Sequence, residues 1–213
     1  SNYTVVFTPG ATQSSNMIVH NTGHLGIKKF HTCLNDHHAN IVPHRISKSD
    51  TVVKQFDANG IIDEETILDG VLDAHMLHLS GVFNATGQIL DVKSITAKAR
   101  NKGAYVALDM SQHMSHSTLD ANGIDADFYY WSAHKHYGPT GTGVLLIRNE
   151  LVERMMPLIG GGMQVESVTE NNIVFNSDAT KFEAGTPNVA GVIGMGASID
   201  FMNTLGMDNI HTH

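Results

Sequence analysis

An apolar strand that runs directly into a lysine and a glycine-rich turn is the feature that most constrains the fold. Positions 127–143 read Asp-Phe-Tyr-Tyr-Trp-Ser-Ala-His-Lys-His-Tyr-Gly-Pro-Thr-Gly-Thr-Gly, and the apolar run Val-Leu-Leu-Ile follows at 144–147. This order predicts two strands joined by a tight connection. It places Lys135 at a strand end, beside small and hydroxyl residues that can hold an anion. A lysine amine in such a place can form a Schiff base with an aldehyde.

The rest of the chain alternates strand-like and helix-like segments. Apolar runs typical of strands lie near 5–7, 28–32, 51–56, 76–82, 104–108, 128–132 and 144–147. Helical spacing is found near 13–20, 63–72, 92–102 and 189–205, whereas 35–38 is typical of a loop. This alternation predicts an α/β fold with a predominantly parallel (mixed) sheet sandwiched by helices. No repeat or linker divides the chain, so we expect residues 1–213 to form a single domain.

Three polar residues lie at or just beyond the ends of predicted strands. They are Asn84, Asp109 and Lys135. In open sheets of this class, ligands bind outside the carboxyl ends of the strands. We therefore expect these side chains to converge on one site although they are far apart in the sequence.

Composition excludes several classes of function. The chain has 13 basic and 21 acidic residues and a net charge of -8, which disfavours nucleic-acid binding. No apolar run approaches the length of a membrane span, and no signal peptide is recognisable at the start. The lone Cys33 excludes an internal disulfide and a multi-cysteine zinc site, and we expect it to be a buried, inert thiol. Together these features predict a cytoplasmic protein that does not act at a membrane.

Histidine is abundant, with 14 residues, and a metal site is the competing interpretation. The pairs His113/His116 and His134/His136 could supply ligands. However, no HExxH motif or cysteine pair supports them, and we predict no catalytic metal.

Four motifs in order resemble one enzyme family. They are DHHANIVP (36–43), ALDMSQ (107–112), SAHKHYGPTGTG (132–143) and KFEAGTPN (181–188). Together they are similar to the cysteine desulfurase/selenocysteine lyase family of class V aminotransferases. The resemblance runs through nearly the whole chain. It implies pyridoxal 5'-phosphate as cofactor and the large domain of the aspartate-aminotransferase-like fold.

The resemblance also implies a role for each residue around the cofactor ring. Lys135 is expected to bind the cofactor as a Schiff base and later to act as acid and base at the substrate carbon. Asp109 is expected to pair with the pyridinium nitrogen. Gln112 is expected to contact the phenolic oxygen, with Asn84 as a second polar contact. His37 is expected to stack on the ring and to take part in proton transfer.

A second group is implied to bind the cofactor phosphate. Thr12 and Gln13 precede or open a predicted helix, whose free amides favour an anion. Ser132 and His134 match further phosphate contacts. Thr186 matches a contact supplied across a dimer interface, so the resemblance implies a homodimer.

The chain departs from the family pattern in its extent. We expect it to lack the N-terminal segment and the small C-terminal domain, which carries the sulfur-accepting cysteine and an arginine for the substrate carboxylate. Cys33 does not match that cysteine. We therefore expect the cofactor-binding large domain of a cysteine desulfurase, a domain that is inactive by itself. The resemblance implies that the intact enzyme is a transferase that takes part in sulfur transfer and iron–sulfur cluster assembly.

The intact enzyme would act on cysteine or selenocysteine and pass sulfur to a possible acceptor protein. Two alternatives stay open. One is a truncated, non-catalytic domain that binds cofactor or a partner. The other is a selenocysteine lyase or another enzyme of class V.

Overall fold

A seven-stranded sheet forms the centre of the molecule in the computed structural model, which describes residues 2–213. The strands are β1 (Tyr3–Thr8), β2 (Lys29–Cys33), β3 (Thr51–Lys54), β4 (His75–Ser80), β5 (Tyr105–Asp109), β6 (Phe128–Ser132) and β7 (Gly143–Arg148). Their order in the sheet is β1-β7-β6-β5-β4-β2-β3. Strand β7 is antiparallel to both of its neighbours, and the other neighbouring pairs are parallel. The predicted mixed, predominantly parallel sheet is confirmed.

Helices cover both faces of this sheet. They are α1 (Ala11–His20), α2 (Thr22–Leu25), α3 (His38–Ile46), α4 (Glu64–Leu68), α5 (Val92–Asn101), α6 (Ala121–Ile124), α7 (Asn149–Val152), α8 (Val189–Leu205) and α9 (Met207–Thr212). Short 3₁₀ turns occupy Ala133–His136 and Ala179–Phe182. A separate antiparallel pair, β8 (Val165–Val168) and β9 (Ile173–Phe175), lies between β7 and α8 in the chain. Among residues 2–213, no helix combines the length and the apolar character needed to cross a membrane.

Strand β6 divides the core into two apolar clusters. Phe128 and Tyr130 belong to the cluster that includes buried residues of α1, and Tyr129 and Trp131 belong to the one that includes buried residues of α5. Successive side chains of a strand point to opposite faces, so a strand with helices on both sides is apolar throughout. All five residues of β6 are buried accordingly.

Helix α3 was not predicted, and two predicted elements are shorter than expected. The loop predicted over 35–38 is confirmed as far as His37, and α3 begins at His38 and continues through Pro43. Proline disfavours a helix interior, but α3 packs against α1, and Ser15 Oγ of α1 donates a hydrogen bond of 2.7 Å to the Ala39 carbonyl, which Pro43 has no N–H to reach. The helix predicted over 63–72 is shorter, because Gly70 adopts a left-handed φ of 64° beyond its end. The strand predicted over 51–56 stops at Lys54.

Candidate active site

The loop after β1 and the turn after β6 meet around Gly143. In the sheet register, Gly143 pairs with Thr8 of β1 and with Ser132 of β6. A side chain at Gly143 would place its Cβ 2.6 Å from the Gly10 Cα atom and 2.6 Å from the Trp131 carbonyl oxygen. Only glycine permits this close approach. It brings two segments that are distant in sequence to one end of the sheet.

An open cleft at this meeting point is lined by Thr12, Gln13, Ser132 and His134. The Ala11 amide donates a hydrogen bond of 2.9 Å to Ser132 Oγ, which ties the start of α1 to the end of β6. Helix α1 has no acidic residue in its first turn. The positive end of its dipole therefore favours an anion in this cleft.

Lys135 lies in the 3₁₀ turn directly after β6 and is half-buried. No hydrogen bond or ion pair joins its amine to another of residues 2–213. His37 caps the N-terminus of α3, and its Nδ1 accepts a hydrogen bond of 3.1 Å from the Ala39 amide. The proton of the neutral ring is therefore on Nε2.

Two other predicted residues, Lys135 and Asp109, affect the pKa of His37. Burial lowers the pKa of His37, the positive charge of Lys135 lowers this pKa further, and the Asp109 carboxylate opposes the shift. Asn40, in the helix that His37 caps, contacts Asp109 Oδ2 at 3.3 Å, and Lys135 follows β6, the strand next to β5. Lys135, His37 and Asp109 therefore lie at the same edge of the sheet, at the carboxyl ends of β5 and β6.

Asp109 ends β5 and is only 5% exposed. Its Oδ1 accepts a hydrogen bond of 2.9 Å from the Ser111 amide, and its Oδ2 accepts one of 3.3 Å from Asn40 Nδ2. A carboxylate has about four acceptor positions. Asp109 therefore retains acceptor capacity for a further donor.

A second buried carboxylate fixes the His37 loop. Asp36 Oδ2 accepts from the Cys33 amide at 2.7 Å and from Thr32 Oγ1 at 3.0 Å, and Oδ1 accepts from the Ser80 amide at 2.7 Å. Burial raises the pKa of Asp36 to about 6 in spite of these donors. The loop that carries His37 is thereby attached to both β2 and β4.

The remaining predicted residues are more peripheral. Asn84 lies in an exposed loop after β4 and shares a shallow cleft with His37. The Gln112 carbonyl accepts from Ser115 Oγ at 3.4 Å, and its half-buried side chain makes no hydrogen bond within residues 2–213. Thr186 lines a second cleft, which adjoins the first and shares Gln13 with it. Their assigned contacts, including that of Thr186 across a dimer interface, stay predictions.

Sequence reasoning assigned no role to several residues that touch Asp109 or its neighbours. They are Asn40, Ser80, Ser111 and Tyr130. A tyrosine in a fully apolar strand is the one available signal, because its buried hydroxyl needs a partner. The described residues 2–213 contain no group of three or more His, Cys, Asp or Glu side chains suited to a metal ion.

Comparisons with known proteins agree with this geometry. The family model for Aminotransferase class-V matches residues 1–213. A cysteine desulfurase of Enterobacter sp. (strain 638) is 37% identical over 217 residues, which cover 97% of this chain and 53% of that protein. The crystal structure of the Escherichia coli cysteine desulfurase CsdA superposes with a TM-score of 0.89 at 32% identity, covering 96% of this chain and 53% of that one. The apo cysteine desulfurase of Thermococcus onnurineus NA1 gives 0.88 at 29% identity, with the same coverage of 96% and 53%.

Proposed function

The chain belongs to the class-V aminotransferase family, and we propose that its site binds pyridoxal phosphate within a cysteine desulfurase. The whole protein would convert L-cysteine to L-alanine and enzyme-bound sulfur. The observation that carries the proposal is the position of Asp109 and Lys135 at the carboxyl ends of the neighbouring strands β5 and β6, beside the helix that His37 caps. The chain spans about half the length of the relatives that it matches. We therefore propose that these 213 residues bind cofactor without turnover.

The residues present fit the ring nitrogen, the phosphate and the aldehyde of the cofactor. The open acceptor positions of Asp109 suit a protonated ring nitrogen. The cleft lined by Thr12, Gln13 and Ser132, at the start of α1, suits the phosphate. The half-buried amine of Lys135 suits covalent attachment to the aldehyde.

The chemistry is divided between the cofactor and this chain. When bound, pyridoxal phosphate supplies an electron sink for the bonds of the substrate α-carbon. Lys135 would hold the cofactor and would carry a proton to or from the substrate carbon. His37 has a lowered pKa and is neutral at pH 7, so its Nε2–H can donate a hydrogen bond while the flat ring stacks on the cofactor ring.

Sulfur transfer needs a thiol other than Cys33. That side chain is 1% exposed, and burial raises the pKa of its thiol well above the usual range. A buried, protonated thiol is a poor nucleophile. The proposal therefore places the sulfur-accepting cysteine elsewhere in the whole protein, and it includes a homodimer in which Thr186 of one subunit reaches the phosphate of the other.

Reductive trapping tests the proposal directly. The protein is mixed with pyridoxal phosphate, reduced with borohydride, digested and examined by mass spectrometry. We expect the label on Lys135, and no label at that peptide in Lys135→Ala. Lys181→Ala is the matched control, since Lys181 is buried beneath backbone carbonyls and should not affect labelling. A label confined to other lysines, or none, would refute the assignment.

The substrate is tested on the whole protein. In the presence of a thiol reductant, alanine and sulfide release from L-cysteine is measured beside alanine and selenide release from L-selenocysteine. Release from cysteine supports the desulfurase, whereas release from selenocysteine alone would identify the lyase instead.

A further inference from the structure

A chain of buried polar side chains leads from Asp109 into the interior, on the face of the sheet covered by α1 and α3. Asn40 Nδ2 lies 3.3 Å from Asp109 Oδ2, and Tyr130 Oη lies 2.7 Å from Asn40 Oδ1. His78 Nε2 lies 2.6 Å from Tyr130 Oη, and His44 Nε2 lies 2.9 Å from His78 Nδ1. None of the five is more than 5% exposed. We call this set the interior hydrogen-bond chain.

The Asp109 carboxylate fixes which group donates and which accepts in every hydrogen bond of this chain. Asp109 can only accept, so Asn40 must turn its amide nitrogen toward it and its oxygen toward Tyr130. Tyr130 must then donate its single hydroxyl proton to Asn40 and accept from His78. His78 donates through Nε2–H and accepts at Nδ1 from His44 Nε2–H. Each donor therefore points toward Asp109.

The far end of the chain is consistent with this direction. His44 Nδ1 is buried and has no hydrogen-bond partner within residues 2–213. The assigned direction leaves a lone pair there, whereas the reverse direction would bury an unpaired N–H. An orphaned buried N–H is the rarer and less favourable outcome in folded proteins.

The imidazoles and the phenol of the chain are neutral near pH 7. Burial lowers the pKa of His78 well below its usual value and lowers that of His44 to about 4. Burial also raises the pKa of Tyr130, with further contributions from the Asp109 and Asp36 charges. The one formal charge in the chain is therefore the Asp109 carboxylate at its end. An ordered row of neutral dipoles that points at one charge fixes the position of that charge.

We propose that Asn40 is the positioning residue of Asp109, and that Tyr130, His78 and His44 act through it by preventing rotation of the amide. This rests on the proposed function, in which Asp109 pairs with the cofactor ring nitrogen. Without the Tyr130 hydroxyl, Asn40 Oδ1 is buried without a donor, and the amide is held only through Nδ2, by Asp109 Oδ2 at 3.3 Å and Ser80 Oγ at 3.2 Å. The loosened amide then no longer holds Asp109 in its pairing position.

The neighbouring tyrosine provides a matched control. Tyr129 is also 0% exposed, and its hydroxyl accepts from the Ala126 amide at 2.8 Å and donates to the Ala121 carbonyl at 2.8 Å. It lies on the opposite face of β6. Tyr129→Phe and Tyr130→Phe delete the same atom from the same strand, but only Tyr130→Phe interrupts the interior hydrogen-bond chain.

The first test uses protein without cofactor and reads histidine tautomers by ¹⁵N NMR at pH 7. We expect neutral, Nε2-protonated rings at His78 and His44 in the wild type and in Tyr129→Phe. We expect the His78 signals to change in Tyr130→Phe. A charged or Nδ1-protonated His78 in the wild type would overturn the proposal. Because this arm needs no cofactor, it decides the direction of the chain even if the proposed function fails.

The second test measures the dissociation constant and the absorption maximum of bound pyridoxal phosphate. Both tyrosine variants should unfold at similar, lowered temperatures. Only Tyr130→Phe should bind about tenfold more weakly, with a shifted absorption maximum. Equal affinity and equal spectra in the two variants would refute the positioning role. If Tyr130→Phe does not fold, Asn40→Leu, of similar volume, should show the same loss, and wild-type affinity in that variant would also refute it.

Discussion

Two buried carboxylates at opposite edges of the same sheet are treated in opposite ways. Asp127 lies at the amino end of β6, where it accepts from Arg100 Nη1 at 2.6 Å, Arg148 Nε at 3.1 Å and the Val106 amide at 2.8 Å. Asp109 lies at the carboxyl end of β5, where it accepts from one backbone amide and one side-chain amide. At the amino edge, two arginines neutralise the buried charge of Asp127. At the carboxyl edge, Asp109 is bonded only to neutral amides and can accept a further donor.

This difference separates a structural role from a functional one. A buried carboxylate with two arginines has its charge compensated within the protein, and its removal affects folding. A buried carboxylate without a cation of its own can accept a ligand that brings one. The comparison therefore supports a site at the carboxyl edge, as expected for parallel α/β sheets. Four predictions test it, from the largest expected effect to the smallest.

Asp127→Ala should lower the free energy of unfolding by about 3–5 kcal/mol, because Arg100 Nη1, Arg148 Nε and the Val106 amide lose their buried acceptor and the arginines keep only exposed partners such as Asp125. Urea denaturation measures the loss. Glu150→Ala is the control, since Glu150 lies 3.8 Å from the same Arg148 but is 70% exposed, and it should cost less than about 1 kcal/mol. Similar losses in the two variants would contradict the structural role of Asp127.

Asp109→Asn should weaken cofactor binding and leave stability almost unchanged, which is the reverse of a purely structural effect. Affinity for pyridoxal phosphate should fall about 10- to 100-fold, or roughly 1.4–2.8 kcal/mol, because the ring nitrogen loses a charged partner. The urea midpoint should change little. Titration calorimetry of the two proteins measures the difference. Unchanged affinity would contradict the pairing of Asp109 with the cofactor.

The free energy of unfolding should fall as the pH decreases from about 6.5 toward 4. His44 has a folded pKa of about 4 against an ordinary 6.5, so the unfolded chain binds a proton first in this range. The loss is up to roughly 1.4 kcal/mol per pH unit for each such histidine. Asp36, with a pKa raised from 3.8 to about 6, acts in the opposite sense. His44→Phe should therefore reduce the slope between about pH 4 and pH 6.5, as measured by urea denaturation.

An exposed histidine provides the control for that slope. His24→Gln should leave the pH dependence of unfolding unchanged, because its ring lies at the surface. A steep slope that persists in His44→Phe would assign the effect to other groups.

Ser132→Ala should have the smallest effect. Its hydroxyl accepts from the Ala11 amide at 2.9 Å, and removal leaves a buried donor unpaired at a cost of about 1 kcal/mol in unfolding free energy. The phosphate cleft should loosen, with weaker binding of pyridoxal phosphate than in the wild type. Ser47→Ala, a change on the exposed end of α3, should alter neither property. A variant that binds as tightly as the wild type would exclude Ser132 from the cleft's function.

The sequence predicted the elements whose signals are local. Alternating apolar runs and turn residues located most of the strands and the longer helices, including β6, and placed Lys135 and Asp109 at strand ends. Helix α3 was missed because Pro43 is a local signal against a helix, and packing against α1 outweighs it. The predicted contacts of Gln112 and Asn84 are the least supported, because both lie in connections whose conformation the strands do not fix.

The sequence by itself determined the fold class, the family and the order of the residues around Lys135, because periodicity, turns and motifs depend on neighbours along the chain. Only the tertiary structure decided what lies behind Asp109. Tyr130 and Asn40 are 90 residues apart, and His78 and Tyr130 are 52 apart. Their contact depends on the order of strands in the sheet and on the helix laid across it. A hydrogen bond requires its two atoms to lie within about 3 Å, and only the assembled sheet brings them that close.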